Sequence, residues 1–438
     1  MSEKENIAHR LKGHLGADPA RLPLLSQDFG IYERPNLHLA IEELVAECNA
    51  ELLGIVDFDH EVTIPRLAHK SSAKLFAEGP VEFVDITLAG GTKLACVQRG
   101  LYLFRVERAK LALLVVETVH RYPPRIRIEV MANDRTAAER FLRSLVSATQ
   151  QGKAYRGRVL SLELDCYRQI AVTFHSLPPI SRHEIILPEA ILRRLESHTI
   201  DFSQQIERLR NSGRHVKRGV LLHGPPGTGK TLSAMYLAAQ MPERTVLIIT
   251  GAGIGALETA CTLARLLQPA TVVLEDVDLI GTRREHQMVD ANALLFELLN
   301  QMDGLGDDAD VLFVLTTNRP DILEPALASR PGRIDQAIEI PLPDDDCRLR
   351  LIELYGRGLK LNVADLQGLV DRTEGASAAF IRELLRKSAL IAAAADTIGD
   401  IVVLDEHINE ALAELLVGGG DLTKSLLGAS KTLISTEI

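Results

Sequence analysis

Apolar and polar positions divide the chain into stretches with different periods. Over residues 37–52, Leu37, Ile41, Leu44, Val45 and Cys48 share one face at helical spacing, with Asn36 placed to cap. That spacing predicts a helix. Strand-like runs follow at 81–88, 94–97, 101–106 and 111–117. In 125–131, Ile126, Ile128 and Val130 alternate with Arg127 and Glu129, the period of a half-buried strand. Asn133-Asp134 then introduces a helix through Phe141, Leu142, Leu145 and Val146. Residues 1–150 therefore read as an α+β domain of their own. Their His and acidic residues are scattered and form no catalytic motif, so the expected role is binding of a client or adaptor.

Residues 151–195 read as a strand pair, 159–164 with 170–174, and a proline-punctuated connector. A charged helix over about 189–212 leads to Gly213. From Arg218 the pattern changes. Short, purely apolar strands at 220–222, 246–250, 272–274, 311–316 and 337–340 alternate with helical segments. Strands apolar on both faces, with helices between them, predict a parallel sheet covered on both sides. After Pro341-Leu342-Pro343 only helices are expected, over 346–415, followed by a flexible tail over 416–438.

Composition narrows the function classes. The 438 residues suit about two to four domains. The 49 basic residues against 59 acidic ones give a net charge of −10, which argues against a polyanion such as nucleic acid as the main partner. The first residues, Met1-Ser2-Glu3-Lys4-Glu5-Asn6, carry acids and no apolar core of a secretory signal. No apolar run approaches the ~20 residues that span a bilayer. The five cysteines are odd in number and far apart, as for reduced thiols. A cytoplasmic protein is the expectation.

The chemistry is concentrated in the second half. Gly224-Pro225-Pro226-Gly227-Thr228-Gly229-Lys230-Thr231 fits G-x-x-x-x-G-K-[ST], between an apolar strand and a helical run beginning at Leu232. Glycines there let backbone N–H groups converge on phosphate oxygens, and a helix N-terminus adds its positive end. Lys230 is expected on the β- and γ-phosphates, with Thr231 on Mg²⁺. Glu275-Asp276 ends the apolar strand at 272–274. Carboxylates in that place are costly to bury without a purpose, and magnesium or water activation supplies one. Asp278 reads either as a third functional acid or as one facing solvent. Asn318 ends the next strand, where an amide can reach a γ-phosphate or the attacking water; taken alone it is a turn cap. Arg330 and Arg333 flank a Pro-Gly turn suited to a rigid guanidinium clamp; taken alone they are a surface cluster.

In this order and spacing the elements resemble the AAA family of P-loop ATPases, over about residues 196–415. The resemblance implies a P-loop NTPase αβα sandwich over 196–345 and a small all-helical lid over 346–415. Nucleotide-binding residues would run from Gly224 through Leu232. Glu275-Asp276 stands at Walker B, and Asn318 matches sensor 1. The segment Leu299-Asn300-Gln301-Met302-Asp303-Gly304-Leu305 resembles a family helix that ends in Met-Asp-Gly. Arg330 and Arg333 match the arginines that the family donates to a neighbouring subunit's nucleotide. ATP and Mg²⁺ are the implied ligands. A homo-oligomeric ring, commonly a hexamer, is the implied assembly, and remodelling of a protein client the implied work.

Three departures bear on mechanism. Most relatives read Asp-Glu where this chain has Glu275-Asp276. The mitochondrial translocase family for the folded Rieske protein resembles this chain in that inversion, as do many bacterial AAA proteins of unassigned role. By position Glu275 is the magnesium-side acid and Asp276 the water-polarising base. Gly375-Ala376-Ser377-Ala378-Ala379 stands where many relatives have Ser-Gly-Ala-Asp. Thr250-Gly251-Ala252-Gly253-Ile254-Gly255-Ala256, where unfolding motors carry an aromatic pore loop, has no aromatic. The last departure leaves a second expectation open: a slowly hydrolysing nucleotide switch or assembly scaffold that recruits an effector.

Overall fold

The computed structural model describes residues 7–57, 61–69, 76–118, 124–165, 169–250, 255–278, 298, 300–302, 304, 306, 309–321, 334–395 and 400–418. The chain forms two compact units, residues 1–176 and 177–438.

In the first unit the strands are β1 (Leu24–Gly30), β2 (Glu51–Asp57), β3 (Phe76–Gly79), β4 (Glu82–Thr87), β5 (Lys93–Val106), β6 (Ala109–Glu117) and β7 (Arg125–Ala132). They make one sheet in the order β1-β7-β6-β5-β2-β3, with β4 also paired to β5. Each described pairing is antiparallel. Both faces are covered. Leu111, Leu113 and Val115 of β6 enter one core with Leu37, Ile41, Phe141 and Leu145 of helices α2 (Arg34–Val45) and α4 (Arg135–Gln150). Ala112, Leu114 and Val116 enter the other, with Ile7 and Leu11 of α1 (Ile7–Leu15) and Ile64 and Leu67 of α3 (Ile64–Ala68). A strand buried on both faces has no reason to alternate, which accounts for the unbroken apolar run of β6. A hairpin of β8 (Val159–Leu164) and β9 (Ile170–His175) also belongs to this unit.

The first unit departs from the sequence expectation at four points. The helix expected over 37–52 is Arg34–Val45, and Glu51 already begins β2. Asn36 does not cap it: its Oδ1 accepts the N–H of Ala154 at 2.8 Å. The runs 94–97 and 101–106 are one strand, β5. The polar face of β7 is not solvated at Glu129, which is only 4% exposed and accepts the N–H of Ile64 at 2.7 Å. The first turn of α3 presents free N–H groups there, and a carboxylate satisfies one of them. As expected, a helix follows Asn133-Asp134, and Asp134 caps it by accepting the N–H of Thr136.

In the second unit β10 (Arg218–His223), β11 (Thr245–Ile249), β12 (Ala270–Leu274), β13 (Val311–Thr317) and β14 (Gln336–Glu339) lie in the order β14-β10-β13-β12-β11. Their pairings are parallel. Every residue of β11, β12 and β13 is buried, as in a sheet covered by helices on both sides. The architecture is the P-loop αβα sandwich. The charged helix expected over 189–212 is broken instead: Glu189–Glu196 ends in a π turn at Ser197–Asp201, and a separate helix spans Ile206–Asn211.

Helices Asp345–Tyr355, Leu366–Arg372, Ala378–Ala395 and Asp405–Ala413 follow. They pack around Leu351, Phe380, Leu384 and Ile408 as the lid. The lid is not purely helical, because Lys360–Asn362 and Val402–Leu404 form a short parallel pair. Cys48, Cys96 and Cys347 are free thiols; Cys261 is buried, and Cys166 is outside the described residues. Among the described residues no helix is long and apolar enough to cross a membrane.

Candidate functional site

The site forms where β10, β12 and β13 end. β10 runs into the loop Gly224–Gly229, and the helix Lys230–Ala239 starts at once. Three glycines bend the loop, with φ of 142° at Gly224, 75° at Gly227 and 98° at Gly229. These conformations exclude ordinary side chains. Space excludes them too: a Cβ on Gly224 would lie 2.2 Å from the Ile340 carbonyl oxygen, and one on Gly227 2.8 Å from Ser377 Oγ. The Ala379 N–H donates to the Gly227 carbonyl at 3.0 Å. The lid helix thus touches the loop through backbone as well as side chain.

Lys230 is buried, and its ammonium donates to the carbonyls of Gly224 at 2.9 Å and Pro225 at 2.7 Å. Thr228 Oγ1 donates to the Pro225 carbonyl. Burial lowers the Lys230 pKa, opposed by the negative charges of Asp276 and Asp278. Thr231 and Leu232 are exposed at the start of the helix. Pro226 is exposed and Pro225 half-buried.

After Leu274 the chain turns from one neighbouring strand to the other. The N–H of Glu275 donates to the Ile249 carbonyl, while the N–H of Asp276 donates to Thr316 Oγ1 and that of Val277 to the Thr316 carbonyl. Asp276 sits at φ 47° to make that turn. Burial raises the pKa of Glu275, as does the adjoining Asp276. Asp276 is raised too, by burial and then by Asp278, with Lys230 and a hydrogen bond from Asn318 acting the other way. That bond runs from Asn318 Nδ2 to Asp276 Oδ1 at 3.4 Å. Asp278 is buried, not solvated, and its Oδ1 accepts the Thr317 hydroxyl at 2.9 Å and the Asn318 N–H at 3.1 Å.

Lys230, Asp276 and Asn318 are therefore brought together, with Glu275 beside them. Arg330, Arg333, Asp303 and residues 251–254 of the glycine-rich segment lie outside the described residues. Thr316 and Thr317, both fully buried, were not singled out from the sequence. Their signal was two hydroxyls ending a strand that is otherwise wholly apolar.

A glycine cradle, a buried lysine and paired acids at the carboxyl ends of parallel strands define a P-loop nucleotide site. Hard oxygen donors, the Thr231 hydroxyl and the Glu275 carboxylate, are the kind that Mg²⁺ takes. Residues 220–342 match the family model described as "ATPase family associated with various cellular activities (AAA)". The chain carries an AAA ATPase domain. It is 36% identical over 187 residues to the proteasome-activating nucleotidase of Pyrococcus horikoshii, covering 40% of this chain and 47% of that one. Against the Pyrococcus abyssi nucleotidase it is 29% identical over 299 residues, 60% of this chain and 74% of the other. The 26S proteasome regulatory subunit 10B homolog A of Arabidopsis thaliana is 35% identical over 192 residues, 41% and 48% of the two chains. The chain spans about half the length of most of these relatives.

Proposed function

We propose that this chain hydrolyses ATP as one subunit of a cytoplasmic ring, and that the cycle remodels a protein client held by residues 1–150. The observation that carries this reading is the convergence of Lys230, Asp276 and Asn318 beside the glycine loop. Backbone N–H groups of the loop and the helix N-terminus are suited to hold phosphate oxygens. Lys230 neutralises their charge. Asp276 orients the attacking water and draws on its proton, and Asn318 fixes Asp276. When bound, Mg²⁺ would offset charge on the β- and γ-phosphates, with Thr231 and Glu275 as the residues to hold it. Arg330 and Arg333 act on the neighbouring subunit's nucleotide. The names of the relatives, nucleotidases that activate a proteasome, support a protein client.

The second reading, a slow switch or scaffold, is favoured by the lack of an aromatic in 250–256. Client-stimulated turnover separates the two. The first reading is tested by mixing Lys230→Ala with Arg330→Ala subunits. Neither parent should turn over ATP, and mixed rings should recover part of the activity, because some interfaces then pair an intact loop with an intact arginine. Mixed rings no more active than either parent would refute the shared site.

A further inference from the structure

Resting on the hydrolysis reading, we infer that Asp278 is a positioning residue of the ATP site: through Thr317 and the Asn318 backbone it fixes the direction in which Asn318 reaches Asp276.

Two strand ends set the geometry. The chain leaving β12 is tied to β13 by the N–H groups of Asp276 and Val277, both donating to Thr316. Those bonds locate Asp276 but stop two residues short of Asn318. Asp278 supplies the return tie. One carboxylate oxygen accepts both the Thr317 hydroxyl and the Asn318 N–H. The Thr317 hydroxyl also accepts the Arg319 N–H at 3.0 Å, so the tie extends one residue beyond Asn318.

The environment makes this tie stiff. Asp278 is 7% exposed and Thr317 fully buried. Removing a buried acceptor leaves its donors unsatisfied. With the Asn318 N–H fixed, its side chain starts from a fixed point and meets Asp276 Oδ1. Loss of the tie frees that point while leaving the hydrogen bonds of Lys230 to the glycine loop in place; the charge that Lys230 and Asp276 feel from Asp278 is lost equally in Asp278→Ala and Asp278→Asn. A misplacement of about 1 Å at such a site lowers turnover on the order of 100-fold.

The experiment compares Asp278→Ala, Asp278→Asn and Thr317→Val in the full chain. Each is followed by steady-state ATP turnover, by calorimetric titration with ADP and by hydrogen exchange of the Asn318 amide. Asp278→Ala should lower kcat by roughly 10- to 100-fold, leave KM and ADP affinity within about threefold, and speed exchange at Asn318. Asp278→Asn keeps an oxygen acceptor and should recover most of kcat and of the protection. Thr317→Val should fall between them, and it decides the matter if Asp278→Ala does not fold: a lower kcat at unchanged KM supports the inference, and wild-type kcat overturns it. Equal loss in the Ala and Asn variants also overturns it, since charge rather than placement would then be the agent. Wild-type turnover matched by Asp278→Ala overturns the inference alone, whereas a wild-type chain without turnover removes the hydrolysis reading and the inference together.

Discussion

The side-chain amide of Asn318 donates to Asp276 Oδ1 at 3.4 Å, and Asp276 rather than Glu275 is the acid that takes a hydrogen bond from it. Asp276→Asn should therefore lower kcat by at least about 100-fold, the usual contribution of a positioned base, with ADP affinity nearly unchanged. Glu275→Gln should chiefly raise the Mg²⁺ concentration needed for half-maximal turnover. Steady-state kinetics across a Mg²⁺ series checks both, and the opposite pattern would exchange the two roles.

Gly227→Ala should weaken nucleotide binding roughly 10-fold, from about 1–2 kcal/mol of left-handed strain. The new methyl would also meet Ser377 Oγ and Ala379 Cβ, at 2.8 and 2.9 Å. Gly213→Ala is the control: it has φ 68° with nothing within 4 Å of the added carbon, so it should lower stability and spare affinity. Calorimetry on both variants reads the difference.

Asp310→Ala should destabilise the second unit by about 3 to 5 kcal/mol, as for a buried ion pair stripped of one partner. Arg244 is 4% exposed and donates to Asp310 Oδ1 at 2.6 Å. Thr271 Oγ1 and the Ala270 carbonyl are among its other acceptors. These groups lie at the amino ends of β12 and β13, away from the glycine loop. Urea unfolding should register the loss while turnover at low temperature stays close to wild type.

Glu129 gives a pH-dependent prediction. Burial raises its pKa, against the Ile64 hydrogen bond and Arg127. The folded chain then holds the Glu129 proton more tightly than the unfolded one, so this group's contribution to stability falls as pH rises from the unfolded value through the folded one. Glu129→Gln keeps an acceptor for Ile64 and removes the ionisation. Its melting temperature should exceed that of wild type at pH 8, and the gap should close at pH 4. A gap that widens in acid would contradict the assignment.

The site was legible because its chemistry is local in sequence. Gly224 to Thr231 is one uninterrupted run, and Glu275, Asp276 and Asn318 each end an apolar strand. The parallel sheet was legible for the same reason, since burial on both faces leaves few polar positions in β11, β12 or β13. What escaped depends on contacts between distant segments. Nothing near Glu129 in sequence announces the first turn of α3, 65 residues earlier. The end of α2 at Val45 was obscured by Cys48, which prolongs the apolar face past the last helical turn although Glu51 already pairs in the sheet. Asp278 was ambiguous because a carboxylate after a strand looks alike whether water or Thr317 satisfies it.

The bond between Gly227 and Ala379 joins residues roughly 150 positions apart, a separation that makes the contact late to form. During synthesis the phosphate loop emerges well before its last wall. A nascent chain that stops short of the helix Ala378–Ala395 already contains Gly224 to Thr231, Glu275, Asp276 and Asn318, yet lacks the surface against which Gly227 rests. Completion of the ATP site is thereby tied to synthesis of the helix Ala378–Ala395, long after the phosphate loop itself.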